Sequence, residues 1–188
     1  MDKSIMKPKL YTSTAITENY EQLIKDCDRA YKFFNRLYNP EGIEDMPTQA
    51  NYGEKEINYN IFNLTATRLS FYNLYKDLCE VIRDYLGEDR PLWVTAWINY
   101  DKYGKTLNWH GHDYPYHGYI SIDPKKTITE FEGWSVENKI GNIYIGEGGP
   151  KHKVNVLEPY DGYRITIGFD ILTEPDEDEP GVFSIPVL

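Results

Sequence analysis

Basic stretches are missing from this 188-residue chain: its longest run of cations is Lys125-Lys126. Twenty Lys and Arg stand against thirty Asp and Glu, a net charge of −10. A protein that grips nucleic acid through its phosphates is basic overall or along a stripe, so the chain carries no strong nucleic-acid signature. Long hydrophobic runs are also missing. No stretch of about eighteen apolar residues occurs, and the first residues do not read as a signal peptide. No membrane association is expected, and a cytoplasmic setting is. Cysteine is scarce: Cys27 and Cys79 are the two, both on apolar stripes of expected helices, which reads as buried free thiols and not a disulfide framework. Histidine is nearly as scarce. All four, His110, His112, His117 and His152, fall in one stretch that also holds the clearest strand patterns.

At this length a single domain over 1–188 is expected. Residues 1–90 read as mainly helical support. After an extended lead-in through Thr14, Thr17 is expected to cap a helix with Glu18 in its first turn. Apolar residues from Tyr20 to Tyr38 then recur at helical spacing, with Lys25, Asp26, Asp28 and Arg29 expected outward. Asn39-Pro40-Glu41-Gly42 ends it. Gly42 to Tyr59 is polar and aperiodic, a connector or a lid, and Asn63-Leu64-Thr65 matches a glycosylation triplet by chance. A second amphipathic helix is expected from about Thr67 to Leu86, closed by Gly87. Residues 91–172 read as strands: WVTAWINYD, Leu107 to His112, Tyr116 to Ile122, Ile128 to Trp134, Ile143 to Gly146, Lys153 to Leu157 and Tyr163 to Ile171. Helices followed by a run of antiparallel strands indicate α+β, and more closely a double-stranded β-helix (jelly roll) backed by the N-terminal helices. Residues 173–188 form an acidic tail whose last residues are expected to dock back.

Residues i and i+2 of a strand share a face. His110 and His112 can therefore present two imidazoles side by side, and a third ligand from a neighbouring strand would complete a facial triad that leaves open positions on iron. His152 is the distant histidine, on a strand whose other same-face residues are Val154 and Val156. Twelve positions beyond it begins RITIGFDI, in which Arg164, Thr166, Gly168 and Asp170 face one way and four apolar residues the other. A guanidinium with a hydroxyl two residues on can hold a carboxylate by two parallel hydrogen bonds and a third. The bland alternative for Arg164 is an ion pair with Glu158 or Asp161. Gly146-Glu147-Gly148-Gly149 lacks the residues of a phosphate loop and reads as a turn between strands.

At these residues the chain resembles the Fe(II)- and 2-oxoglutarate-dependent oxygenases, whose pattern is His-x-Asp/Glu, a distal His, and Arg-x-Ser/Thr about a dozen residues further. His110, His152, Arg164 and Thr166 fall on it. Position 112 departs, with His where a carboxylate is usual; Asp113, adjacent but out of register, is the rival third ligand if the strand end is distorted. The wording NWHGH, YHGYISID, GNIYIG and RITIGFDI looks most like small oxygenase-like proteins of tailed phages, particularly those infecting cyanobacteria. The resemblance spans roughly Trp93 to Ile171. It implies Fe(II) held by His110, His112 and His152, with 2-oxoglutarate and O2 as co-substrates and Arg164 with Thr166 on the far carboxylate. It also implies a hydroxylated product. The substrate stays open among a protein side chain such as proline, a nucleobase and a small metabolite, with a lean to protein. His117 is expected to pack in the wall or to touch the co-substrate, and not to be a ligand.

Two other classes fit parts of the pattern. His110-x-His112, with four residues before His117 and with His152 later, is close to a cupin motif. That reading gives a metal dioxygenase or isomerase without 2-oxoglutarate, though it lacks the motif's Glu and leaves Arg164 and Thr166 unexplained. A non-enzymatic jelly-roll binding or structural protein would use the histidines only for packing.

Overall fold

A computed structural model describes residues 6–38, 59–64, 67–105, 107–175 and 184–188. The expected turn at Asn39–Gly42, the connector or lid from Gly42 to 58, the Thr of the glycosylation triplet and the acidic run 176–179 lie outside them. Strand β1 (Lys9–Thr12) leads into helix α1 (Thr14–Glu18), then α2 (Tyr20–Tyr38), a 3-10 turn at Ile61–Leu64 and α3 (Leu69–Leu86). Eight strands follow: β2 (Trp93–Lys102), β3 (Tyr116–Asp123), β4 (Thr127–Phe131), β5 (Trp134–Glu137), β6 (Asn142–Glu147), β7 (His152–Val156), β8 (Tyr163–Leu172) and β9 (Ile185–Pro186).

The helix boundaries correct the sequence reading where caps decide them. Ser13, not Thr17, caps α1: its hydroxyl accepts from Ile16 N–H. The chain breaks at Asn19 before α2 begins. Asp26 is buried, not outward. It holds Gln22, Arg29 and the Ser70 hydroxyl of α3, tying the two long helices together. Gly87 ends α3 as expected, at φ 64°, where a side chain is disfavoured. The expected strand from Ile128 to Trp134 is two, because Gly133 at φ 91° turns the chain into a tight β4–β5 hairpin.

The strands form two antiparallel sheets, one of six in the order β1-β6-β3-β8-β2-β9 and one of three in the order β5-β4-β7. The expected strand over Leu107–His112 reduces to a short pairing beside β7: His110 and His152 exchange both backbone hydrogen bonds, and Val154 N–H donates to Leu107 O. This is a double-stranded β-helix. The alternation in β8 decides its two faces. Ile165, Ile167, Phe169 and Ile171 point outward beneath α2 and α3, joined by Ile98, Ile120, Ile143 and Ile145. Each such fully buried side chain contributes about 1.5–3 kcal/mol, and together they fix the register of the sheet, since a one-residue slip would move them all inside.

The opposite face lines the interior between the sheets, and it is polar. Across the ladder, Asp101 on β2 lies opposite Arg164 on β8; Asn99, Thr166 and Ser121 form the next row. Trp97, Gly168, Tyr119 and Tyr144 form a third row, and Thr95, Asp170, His117 and Gly146 a fourth. A Cβ on Gly168 would lie 2.4 Å from the Trp97 ring, so the missing side chain is what lets the indole lie flat across the interior. Cys27 and Cys79 are buried free thiols, and burial raises both above the usual thiol range. No described helix is long and apolar enough to cross a membrane.

Candidate metal centre

The histidines come from three places. The 107–112 segment brings His110 and His112, β7 brings His152, and β3 brings His117. Gly148, in the turn before β7, holds the first segment in place: its carbonyl accepts from His112 N–H, and its own N–H donates to Pro115 O. A Cβ there would meet the Tyr114 carbonyl at 1.9 Å, so only glycine permits this approach. The stretch read as a strand-joining turn thus has a second task, that of seating His112.

One ring nitrogen each of His110, His112 and His152 lies within 4.8 Å of the others. Two atoms bound to one ion at about 2.1 Å each lie at most about 4.2 Å apart, so small side-chain adjustments suffice to close the set on a metal. The tautomers suit this. His110 Nδ1 is 2.8 Å from the Asn108 carbonyl. A carbonyl only accepts, so Nδ1 carries the proton and Nε2 offers its lone pair. His112 Nδ1 faces an acceptor too, Asp170 Oδ1 at 2.9 Å. His152 Nδ1 has only a loose approach of the Pro150 carbonyl and no hydrogen bond. Imidazoles with bare, inward nitrogens in a buried cluster are a donor set that a divalent cation fits.

Burial disfavours the charged form of His110, His117 and His152. It pulls His152 down to about 3 and His117 well below the ordinary histidine range, with neighbouring imidazoles adding to both. It also lowers His110, against the Asn108 carbonyl, which favours the proton. Neutral imidazole is the form that binds metal.

His117 lies in the wall beside the cluster, with its ring parallel to His112 at 4.2 Å and to His152 at 4.6 Å. Neither of its nitrogens has a partner. Asp113 is exposed and outside the cluster; the carboxylate that meets the histidines is Asp170, from the face-mate series of Arg164. That series was legible in the alternation of β8, but the approach of Asp170 to His112 was not, because it depends on a loop 58 residues away in sequence.

Arg164 and Thr166 line the same interior pocket as the histidines. The Arg164 guanidinium donates to Thr166 Oγ1 at 3.3 Å, and Asn99 donates to the same oxygen at 3.2 Å. The ion pair foreseen for Arg164 exists with a different partner. It is with Asp101, directly opposite on β2, at 2.9 Å; Glu158 pairs instead with Lys126. Thr166 and Asp170 are four residues apart on β8, about 13 Å along the strand, with Gly168 between them. Tyr119, Tyr144 and Phe131 pack as a separate aromatic cluster against this interior, Phe131 lying against His152.

No protein-family model matches the sequence, and no curated protein matches it. Solved structures match the fold. Over 87% of this chain and 78% of the other, it superposes on the non-heme α-ketoglutarate-dependent carbocyclase SnoK from nogalamycin biosynthesis, with TM-score 0.56 and 11% identity. The α-ketoglutarate-dependent epimerase SnoN of the same biosynthesis gives 0.51 and 7%, over 88% and 78%. The non-heme monooxygenase ThoJ, in complex with Ni, gives 0.53 and 11%, over 91% and 73%. None of these is described as a phage protein. The chain shares with these non-heme oxygenases the double-stranded β-helix fold.

Proposed function

We propose that this chain is a non-haem Fe(II)- and 2-oxoglutarate-dependent oxygenase that hydroxylates its substrate. The observation that carries the reading is one interior face with two ends. Three imidazoles converge at one, beside Asp170, and a hydroxyl and a guanidinium line the same pocket four and six residues from Asp170 along β8. Iron, when bound, supplies O2 activation and the oxidation of a C–H bond coupled to decarboxylation of the keto acid.

The chain's own residues do the rest. His110, His112 and His152 hold the ion. Asn108 fixes the His110 tautomer by accepting the Nδ1 proton. Arg164 keeps further N–H groups beyond those on Asp101 and Thr166, and these receive the far carboxylate. Asn99 orients the Thr166 hydroxyl. Trp97 and the Tyr119–Tyr144–Phe131 cluster keep water from the pocket. The proteins of like fold are described as a carbocyclase, an epimerase and a monooxygenase, so fold leaves the outcome open. Hydroxylation is inferred from the sequence resemblance. So is a phage origin, with a host-cytoplasmic setting. A protein substrate, a prolyl side chain among the options, is favoured over nucleic acid by the charge of −10 and the lack of basic runs.

One observation favours a second reading. The charge of Arg164 is already matched by Asp101, which suits a three-histidine, cupin-type dioxygenase that needs no 2-oxoglutarate. Anaerobic titration of the Fe(II)-loaded protein with 2-oxoglutarate separates the two. A saturable visible charge-transfer band is expected, weakened by Arg164→Lys with metal affinity unchanged. Bound iron without a band supports the second reading.

A further inference from the structure

Among the described residues three carboxylates are buried: Asp26, Asp101 and Asp170. The first two have fixed cations. Asp26 pairs with Arg29 and Arg68, and Asp101 with Arg164 and Lys105. Asp170, 1% exposed, pairs with no described Lys or Arg. Its ladder neighbours do not substitute. His117 and Thr95 lie directly opposite it on either side, yet both His117 nitrogens and Thr95 Oγ1 are without hydrogen-bond partners. The nearest polar group is His112 Nδ1, 2.9 Å from Asp170 Oδ1 but off the hydrogen-bond line, so Oδ1 is unsatisfied as well. A buried carboxylate in this condition is costly. The cost is removed if a cation arrives next to it.

We infer that Asp170 is the charge partner of the metal set, a positioning residue that acts through His112. The inference rests on the proposed metal site. Three imidazoles leave a divalent ion with its full charge, whereas a facial triad ordinarily includes a carboxylate. Here that carboxylate stands one side chain further out. A small turn of the His112 ring on metal binding would bring its Nδ1–H onto Asp170 Oδ1, from which Nδ1 is now 2.9 Å away but out of line. Asp170 then accepts that proton, leaves Nε2 for the ion and raises the basicity of the ring. The apparent departure at position 112 is then compensated by position 170. No other oxidant, reductant or group is involved.

The test uses the full chain and Ni(II) as probe, with affinity read by calorimetry and apo stability by thermal unfolding. Asp170→Asn keeps the shape and removes the charge. Ni(II) affinity is expected to fall 10–100-fold, as for partners standing behind a ligand, at unchanged stoichiometry. The apo protein is expected to melt no lower than wild type, because an unbalanced buried charge has gone. A merely structural Asp170 gives the opposite pattern, a lower melting point with unchanged affinity, and overturns the inference. If Asp170→Asn does not fold, Asp170→Ser is read the same way. Wild type that takes up Ni(II) while the variant takes it up equally sinks this inference alone. Wild type that takes up none sinks the oxygenase reading and the inference with it.

Discussion

The two ends of the interior carry similar polar cargo in opposite states. At the Arg164 end Asp101, Thr166 and Asn99 close on one another, and Thr127, Thr129 and Asn138 form a second bonded group, with Ser121 Oγ left over. At the histidine end His117, His152, Asp170 and Thr95 all retain unpartnered atoms. Both ends are buried and built on the same strands. The first has its charges matched as folded, with Arg164 N–H groups to spare. The second is a set of metal-donor atoms without a recipient, a charge left over where the first has none.

Three measurements press on that contrast. The largest effect is expected from His152→Ala, which should abolish saturable Ni(II) uptake while far-UV circular dichroism keeps its wild-type form. Uptake that persists would remove His152 from the ligand set. Next in size is the Arg164 end. Arg164→Ala strands Asp101 in the interior and should cost about 3–5 kcal/mol in urea unfolding, whereas the double change R164M with D101L should recover most of that. A small loss from the single change would mean the pair is not the completed structure described above.

The third measurement is pH dependence, a graded effect whose sign follows from the lowered histidines. His110, His117 and His152 bind protons less readily folded than unfolded. Their contribution is therefore fully present above about 6.5, the unfolded value, and declines as pH falls below it, for His152 until about 3. Each group adds at most about 1.4 kcal/mol per pH unit. Apo stability should thus decrease between pH 7 and pH 5, and a flat profile would count against a buried neutral cluster.

How much of this was legible beforehand depends on what each feature needs. Alternation in RITIGFDI requires only local spacing, so the inward set Arg164, Thr166, Gly168 and Asp170 could be read directly. So could the paired helices and the grouping of His110, His112 and His152, which follow from spacing and a resemblance. The partner of Arg164 was not legible, because Asp101 sits opposite it only through the β2–β8 register, and register is a property of two distant strands. The burial of Asp26 was missed for a similar reason. A charged residue on a helix is read as solvated unless its donors, here Ser70 and Arg68 on or beside another helix, are known. Thr17 has a capping side chain, as Ser13 does, and only the backbone break at Asn19 shows that a short helix capped by Ser13 precedes the long one.

The six-stranded sheet has a further property at its margins. Strand β2 is ten residues long, eight of them buried, and contains no proline. Left as an outermost strand it would offer a row of unpaired amides to any other extended chain. It is instead covered for its first residues by β9, where Pro186 lies opposite Trp93 and cannot pass the ladder on, and Arg83 grips the Val187 carbonyl behind it. The other margin is β1, four residues long, entered from Pro8 and bearing the exposed Lys9. Short, charged or proline-bearing borders of this kind discourage edge-to-edge stacking between molecules, so this sheet is guarded against aggregation by its two smallest strands.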